Sequence, residues 1–200
     1  MPATLRRDRS KAALRRKILA AARSLFAKEG YENISMRKIA QKIGYSPTTI
    51  YLYFRDKNEL VEEICNEMFS LLSAELEALK LGEGDPIEKM RAGLRAYINF
   101  GIAHPDYYRV SLMTPYDAEP ECMQESEGGK AFNYLVHGVT RCVEQGHFRE
   151  TDVAAVSQSL WMTIHGVTAL LITHANSFPW VDQNRLIDLT IESGIRGFRE

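Results

Sequence analysis

The chain has 200 residues, 45% apolar and 26% charged, with a formal net charge of −1. That composition suits one medium domain or a small domain fused to a larger one, and excludes global disorder. Cys65, Cys122 and Cys142 are odd in number and form no CxxC pair, which argues against a disulfide framework or a structural zinc site and fits a reducing cytosol. The longest mainly apolar stretch, 154–175, carries Ser157, Gln158, Ser159, Thr163 and His165, and reads as too polar for a membrane span. The Arg-rich start lacks the apolar run of a signal peptide, so a cytoplasmic protein with no membrane partner is expected.

The near-zero net charge conceals a division. Residues 1–60 hold 14 Lys and Arg against 5 Asp and Glu, a net of +9, while residues 61–200 hold 11 against 21, a net of −10. A basic module for a polyanion joined to an acidic body fits that split, although a solvated basic helix without a partner gives the same count.

In chain order, nearly everything reads as helix. Residues 1–9 show no periodicity and read as a mobile basic arm. From Lys11 to Glu29, Leu14, Ile18, Ala22, Leu25 and Phe26 recur at three- and four-residue steps, with Ser10 as a start and Gly30 as a stop. A short helix after Ser35 turns Met36, Ile39, Ala40 and Ile43 inward and ends at Gly44. Ser46 caps a third helix with Pro47 in its first position, carrying Thr48 to Phe54. Asp56 with Glu59 resembles a capping box and opens a fourth helix to about Lys80. A fifth runs from Asp85-Pro86 to about Gly101, and a sixth from Asp106 to Met113. After a loop at 114–120, a seventh runs from about Glu121 to Gln145, with fraying expected at Gly128-Gly129. An eighth runs from Thr151 or Asp152 to about Ala175, and the last from Asp182 to the end.

Two short helices separated by Gly44-Tyr45-Ser46 form a helix-turn-helix signature. The second is short and polar toward its start, as a helix entering a major groove about 12 Å wide should be. The stretch from Lys11 to Met68, and most specifically Gly44-x-Ser46-x-x-Thr49-Ile50-Tyr51-x-Tyr53-Phe54 followed by Lys57-x-x-Leu60, resembles the TetR family of transcriptional regulators. Thr48 stands where that family often has Gly, which changes a base-facing side chain and not the fold.

The resemblance implies an all-α protein of about nine helices. Residues 1–56 would form a basic arm and a three-helix DNA-binding domain, joined by the fourth helix to a helical effector-binding and dimerisation domain over 57–200. It also implies roles. Thr48, Thr49, Leu52 and Tyr53 lie on the exposed face of the reading helix, which Ser46 and Pro47 open. Arg37 is a candidate to reach a base. Tyr51 and Lys57 match positions that meet phosphate, and Ser35 binds phosphate in the same way. Arg6, Arg7 and Arg9 could enter a minor groove. Ile39, Ile43, Ile50 and Phe54 read as core, and Tyr53 is as open to packing as to base reading.

The body is expected to dimerise through its last two helices, by Val153, Val156, Leu160, Ile164, Val167 and Leu171 on one and Leu186, Ile187, Leu189, Ile191 and Ile195 on the other. Small residues Gly166, Ala169, Gly194 and Gly197 would permit close approach. The spacing Trp161-x-x-x-His165-Gly166 resembles a Trp-His-Gly branch of the family. Trp161 and His165 then line a cavity or pack at the interface. Tyr97, Phe100, Tyr107, Tyr108, Met113, Phe132, Tyr134 and Met162 are further lining candidates, and equally ordinary core. The implied function is a repressor released from a palindromic DNA operator by a small organic effector. The alternative is an activator, or a regulator of the same fold that needs no ligand. No cofactor and no metal site is expected. No HExxH, GxSxG or P-loop is present, so catalysis is not expected.

Overall fold

The structure is a computed structural model that describes residues 3–80, 84–114 and 126–199, with side chains described from Arg9 onward. Among these residues it is entirely helical: α1 (Ala3–Glu29), α2 (Met36–Ile43), α3 (Pro47–Tyr51), α4 (Lys57–Ala78), α5 (Pro86–Ala103), α6 (Pro105–Leu112), α7 (Glu127–Glu144), α8 (Val153–Thr173) and α9 (Gln183–Arg196). Two compact units form. One comprises Met1–Met68 with Asp106–Asp117, and the other Phe69–Pro105 with Ala118–Glu200. α4 passes from the first to the second, and the α6 segment belongs with the first.

Most boundaries follow from side chains that satisfy backbone groups at helix ends. Ser35 accepts from the Lys38 N–H, Ser46 from Thr49, Asp85 from Ile87 and Glu88, Ser126 from Gly129, Asp152 from Ala155 and Asp182 from Arg185. At α4 the Asp56 carboxylate accepts from Glu59 N–H at 2.9 Å, and Glu59 accepts in return from Arg55 N–H at 2.5 Å. This reciprocal cap reaches one residue further back than the usual box, which ends on the capping residue's own N–H.

Three boundaries differ from the sequence reading. Residues 3–9 are not a separate arm; they extend α1, and Ser10 lies inside the helix rather than at its cap. Ala3, Leu5, Arg6, Arg7 and Arg9 carry enough helix propensity to extend a helix without an apolar stripe to announce it. α3 ends at Tyr51, and Leu52 to Phe54 follow as turns whose N–H groups bond to Thr49 and Ile50 carbonyls. α7 begins after Ser126 and runs unbroken through Gly128-Gly129, while the expected start at Glu121 lies outside the described residues.

In the first unit, Ile18, Ala22 and Phe26 of α1 meet a core that includes Ile39, Ile50, Phe54, Leu60, Ile64 and Tyr108, all buried. The expected assignment of Ile39, Ile43, Ile50 and Phe54 to the core holds. In the second unit the core is drawn from α5 (Leu94, Ile98), α7 (Val139, Cys142), α8 and α9.

The α8–α9 core corrects one expectation. Val156, Leu160, Ile164 and Leu171 of α8, and Ile187, Ile191 and Ile195 of α9, are buried within the chain itself. They form the seam inside the unit and are not surface for a second copy. α8 is apolar around more of its circumference than one seam requires, and a period of 3.6 does not say which stripe the chain covers. On the other side Ala155, Gln158, Met162, Leu170 and Thr173 are exposed, with Gly166 and Ala169 half-exposed between them. Charge does not mark this stripe, because α8 contains no Asp, Glu, Lys or Arg. By length and composition alone α8 is long and apolar enough to cross a membrane, and 39% of its apolar window is buried within the chain.

Candidate nucleic-acid interface

The helix-turn-helix is built by two caps and one backbone reversal. Gly44 takes φ +76°, left-handed, and closes α2 with its N–H on the Ala40 and Gln41 carbonyls. A Cβ at Gly44 would meet nothing within 4 Å, so the backbone angle and not space requires glycine. Ser46 then caps α3. Its hydroxyl also lies 2.9 Å from that of Thr49, so Thr49 is half-buried and occupied at the cap. Pro47 occupies the first turn, where a missing N–H is harmless.

α3 is fastened by Ile50, fully buried, and by Phe54 just beyond it. Between these two anchors the chain presents Thr48, Tyr51 and Leu52 to solvent, Leu52 at 78% exposure. Tyr53 is half-buried. Ser35 and Arg37, at the start of α2, are exposed as well. Leu52 is a large aliphatic side chain left almost bare beside the exposed Tyr51.

Lys57, first residue of α4, is held in a defined place. Its ammonium donates to the Tyr31 carbonyl at 3.0 Å and lies 4.0 Å from the centre of the Tyr31 ring. Tyr31 in turn donates its hydroxyl to Asn58 Oδ1 at 2.5 Å. Sequence reasoning did not find Tyr31, because its partners are 26 and 27 residues away. The Asp56 carboxylate beside Lys57 is held below the ordinary carboxylate range by the Glu59 backbone N–H and then by the Arg55 guanidinium.

The remaining candidates fall in two places. In the first unit Tyr108 is buried, Tyr107 is half-buried and Met113 is exposed. Tyr107 donates to Glu67 at 2.9 Å, and the Arg23 guanidinium lies 3.7 Å from its ring centre. Burial first, and then the Glu67 contact, raises the Tyr107 hydroxyl above its ordinary range. In the second unit four rings gather from α5, α7 and α8. Trp161 Nε1–H donates to the Tyr97 hydroxyl at 3.2 Å, the Phe132 ring meets Trp161 edge-on at 6.0 Å, and His165 lies 5.9 Å from Trp161. Burial pushes the His165 imidazole below its ordinary value, toward the neutral form. Ser157, one turn before Trp161, is fully buried, and its hydroxyl has no partner among the described residues. Phe100 is buried against the His104 ring at 4.7 Å. Tyr134 is half-buried and donates to Glu77 at 2.7 Å, which, with burial, pushes its hydroxyl up to about 12. Met162 does not join the rings; it is exposed on the outer stripe of α8. No cluster of His, Cys, Asp and Glu suited to a metal occurs among the described residues.

Comparison with known proteins supplies an independent view of both units. Residues 18–64 match the family of bacterial regulatory proteins named for tetR, and residues 90–193 match the tetracyclin repressor-like C-terminal domain. An uncharacterized HTH-type transcriptional regulator of Haemophilus influenzae is 40% identical over 68 residues, covering 34% of this chain and 36% of that protein. An uncharacterized HTH-type transcriptional regulator of Bacillus subtilis, YobS, is 22% identical over 160 residues, covering 79% of this chain and 78% of that one. Among solved structures, a bacterial regulatory protein in the tetR family from Rhodococcus RHA1 superposes with a TM-score of 0.78 at 19% identity, covering 92% of this chain and 96% of that one. The last likeness is one of fold.

Proposed function

The chain belongs to the TetR family of bacterial regulatory proteins and carries its DNA-binding helix-turn-helix, and from that premise we propose that it is a cytoplasmic, dimeric repressor released from a palindromic operator by a small organic molecule. The observation that carries the reading is α3 itself. Its inner side is pinned by Ile50 and Phe54 while Thr48, Tyr51 and Leu52 face outward.

In this reading the domain over residues 1–56 reads DNA. Thr48 and Leu52 meet base edges, Leu52 by apolar contact such as a thymine methyl offers. Arg37 reaches a base, while Ser35, Tyr51 and Lys57 meet phosphate, with Ser46, Pro47 and Thr49 setting the entry of the helix. Tyr53 packs at the edge. One five-residue helix touches too few base pairs for specificity in a genome. Two copies joined through the outer stripe of α8 and the exposed Leu189 of α9 read half-sites one or more helical turns apart.

Residues 57–200 supply the pairing surface and the effector site. The rings of Tyr97, Phe132, Trp161 and His165, with the unpartnered Ser157 hydroxyl, suit an apolar or aromatic molecule carrying one hydrogen-bonding group. The effector favours the form of the dimer that does not match the operator, by differential affinity typically of about 1–3 kcal/mol.

Selection of duplexes from a random pool, followed by anisotropy titration against selected and scrambled DNA, tests the reading. Lys57→Ala should weaken binding to all sequences and lower the salt slope, while Arg37→Ala or Thr48→Ala should cost about 1–3 kcal/mol on the selected duplex alone. Failure of the wild-type protein to enrich any sequence would refute the proposal.

A further inference from the structure

Several cations of the first unit have a carboxylate partner. Arg15 pairs with Glu63 at 2.7 Å, Lys38 with Glu29, and Arg55 with Asp56 at 2.9 Å. Lys57 does not. It is held by a carbonyl and an aromatic face, which orient an ammonium without cancelling its charge. A second lysine is held in the same manner. Lys17 of α1 donates to the Ile43 carbonyl at the end of α2, at 3.2 Å, and lies 5.4 Å from the centre of the Tyr45 ring. No carboxylate pairs with it among the described residues. An ammonium has three donors, and the Ile43 carbonyl takes one. Tyr45 is 43% exposed in the turn between α2 and α3.

The two lysines bracket the reading helix along the chain. Tyr45 stands two residues before α3 and Lys57 six residues after it. A helix of five residues is about 7.5 Å long at 1.5 Å per residue, and the groove it enters is about 12 Å wide. Groups anchored at the two ends of so short a helix therefore come against the groove walls, and those walls are phosphates. We propose that Lys17 and Tyr45 form a second phosphate-binding site of this protein, for the backbone of duplex DNA at the leading end of α3, paired with the one at Lys57. The inference rests on the reading of α3 as the DNA-reading helix. Tyr45 is a positioning residue: its ring keeps the ammonium beside the turn.

The test uses the full chain and a duplex selected by the wild-type protein, with anisotropy titrations from 50 to 200 mM salt. Lys17→Gln keeps an N–H for the Ile43 carbonyl and removes the charge. Each phosphate contact contributes about 0.9 to the salt slope. The affinity ratio of wild type to Lys17→Gln should therefore shrink about 3.5-fold across that range for each Lys17 engaged, about 12-fold if both subunits of a dimer engage one. The loss should be equal on selected and scrambled duplexes, and Lys17→Arg should restore the slope. Tyr45→Leu should weaken binding in the wild-type background and add nothing in the Lys17→Gln background. An unchanged slope in Lys17→Gln, whether or not its melting temperature falls, would show that Lys17 only caps α2 and overturn the proposal. An equal loss from Tyr45→Leu in both backgrounds would overturn the pairing. If the wild-type protein selects no duplex at all, the DNA reading fails first, and the phosphate site with it.

Discussion

The outer stripe of α8 gives the sharpest test of assembly. Replacing Met162 and Leu170 together with Ala removes the two largest apolar side chains on it, which are 65% and 51% exposed in the single chain. Full burial of a Met or Leu side chain is worth about 1.5–3 kcal/mol. Covering what remains exposed is thus worth about 1–2 kcal/mol for Met162 and about 0.8–1.5 for Leu170, and a two-fold interface counts each twice. The sum, about 3.5–7 kcal/mol per dimer, is an upper figure, because Ala retains its Cβ and interfaces rarely cover a side chain fully. An expected loss of about 2–4 kcal/mol weakens dimerisation roughly 30- to 1,000-fold. Sedimentation equilibrium over a wide protein range reads this directly. Because neither side chain contributes to the inner core, helix content at 25 °C should be unchanged, which separates lost pairing from lost folding. The reasoning is refuted if the wild-type protein stays monomeric at high concentration, or if the double variant dimerises as tightly as the wild type.

Three further outcomes follow from local geometry. Gly44→Ala places a side chain at φ +76° and should destabilise the first unit by about 1–2 kcal/mol, seen as a lower melting temperature with weakened DNA binding. A Cβ at Gly194 would lie 3.3 Å from Leu160 on α8, whereas one at Gly166 meets nothing within 4 Å. Gly194→Ala should therefore lower the melting temperature, while Gly166→Leu should spare the single chain and act on its self-association. Glu192 is held below the ordinary carboxylate range, first by its hydrogen bond to Arg91 at 2.5 Å. Its contribution is present above the unfolded carboxylate value and is lost as pH falls through the depressed folded one. Thermal melts at falling pH should show Glu192→Gln losing less stability on acidification than the wild type, and parallel curves would contradict the assignment.

What the sequence disclosed was what neighbouring residues decide among themselves. Ser35, Ser46, Asp85, Asp152 and Asp182 each accept from an N–H two or three residues ahead, so the helix starts could be read off locally. Gly44 with Ser46 and Pro47 defined the turn in the same way. The start of α1 was missed because nothing caps it near Ser10, and propensity alone extends it to Ala3. The inner and outer sides of α8 were exchanged because both are apolar and uncharged, and only the packing of α5, α7 and α9 against one of them distinguishes the two. The cradles of Lys17 and Lys57 were invisible for another reason. Each joins residues 26 apart, and neither leaves a spacing that a periodic pattern could show.

These separate features bear on one another through concentration. On the proposed function, a reading helix of five residues gives each subunit a weak hold on DNA, most of it through phosphate. Joining two such heads makes the second engagement intramolecular, so affinity rises without any new contact at either head. The charge division serves this arrangement. In the proposed dimer the basic first sixty residues meet the polyanion, and the acidic remainder is repelled by it, which leaves the uncharged stripe of α8 to meet a like stripe and not the duplex. It follows that variants of α8 and variants of the head should fail differently. Met162→Ala with Leu170→Ala should make DNA binding steeply dependent on protein concentration while the salt dependence per subunit stays intact. Lys57→Ala or Lys17→Gln should flatten the salt dependence and leave self-association untouched. A single variant that moved both quantities together would mean that pairing and reading are one structural event, and that the stripe on α8 is not an independent joint.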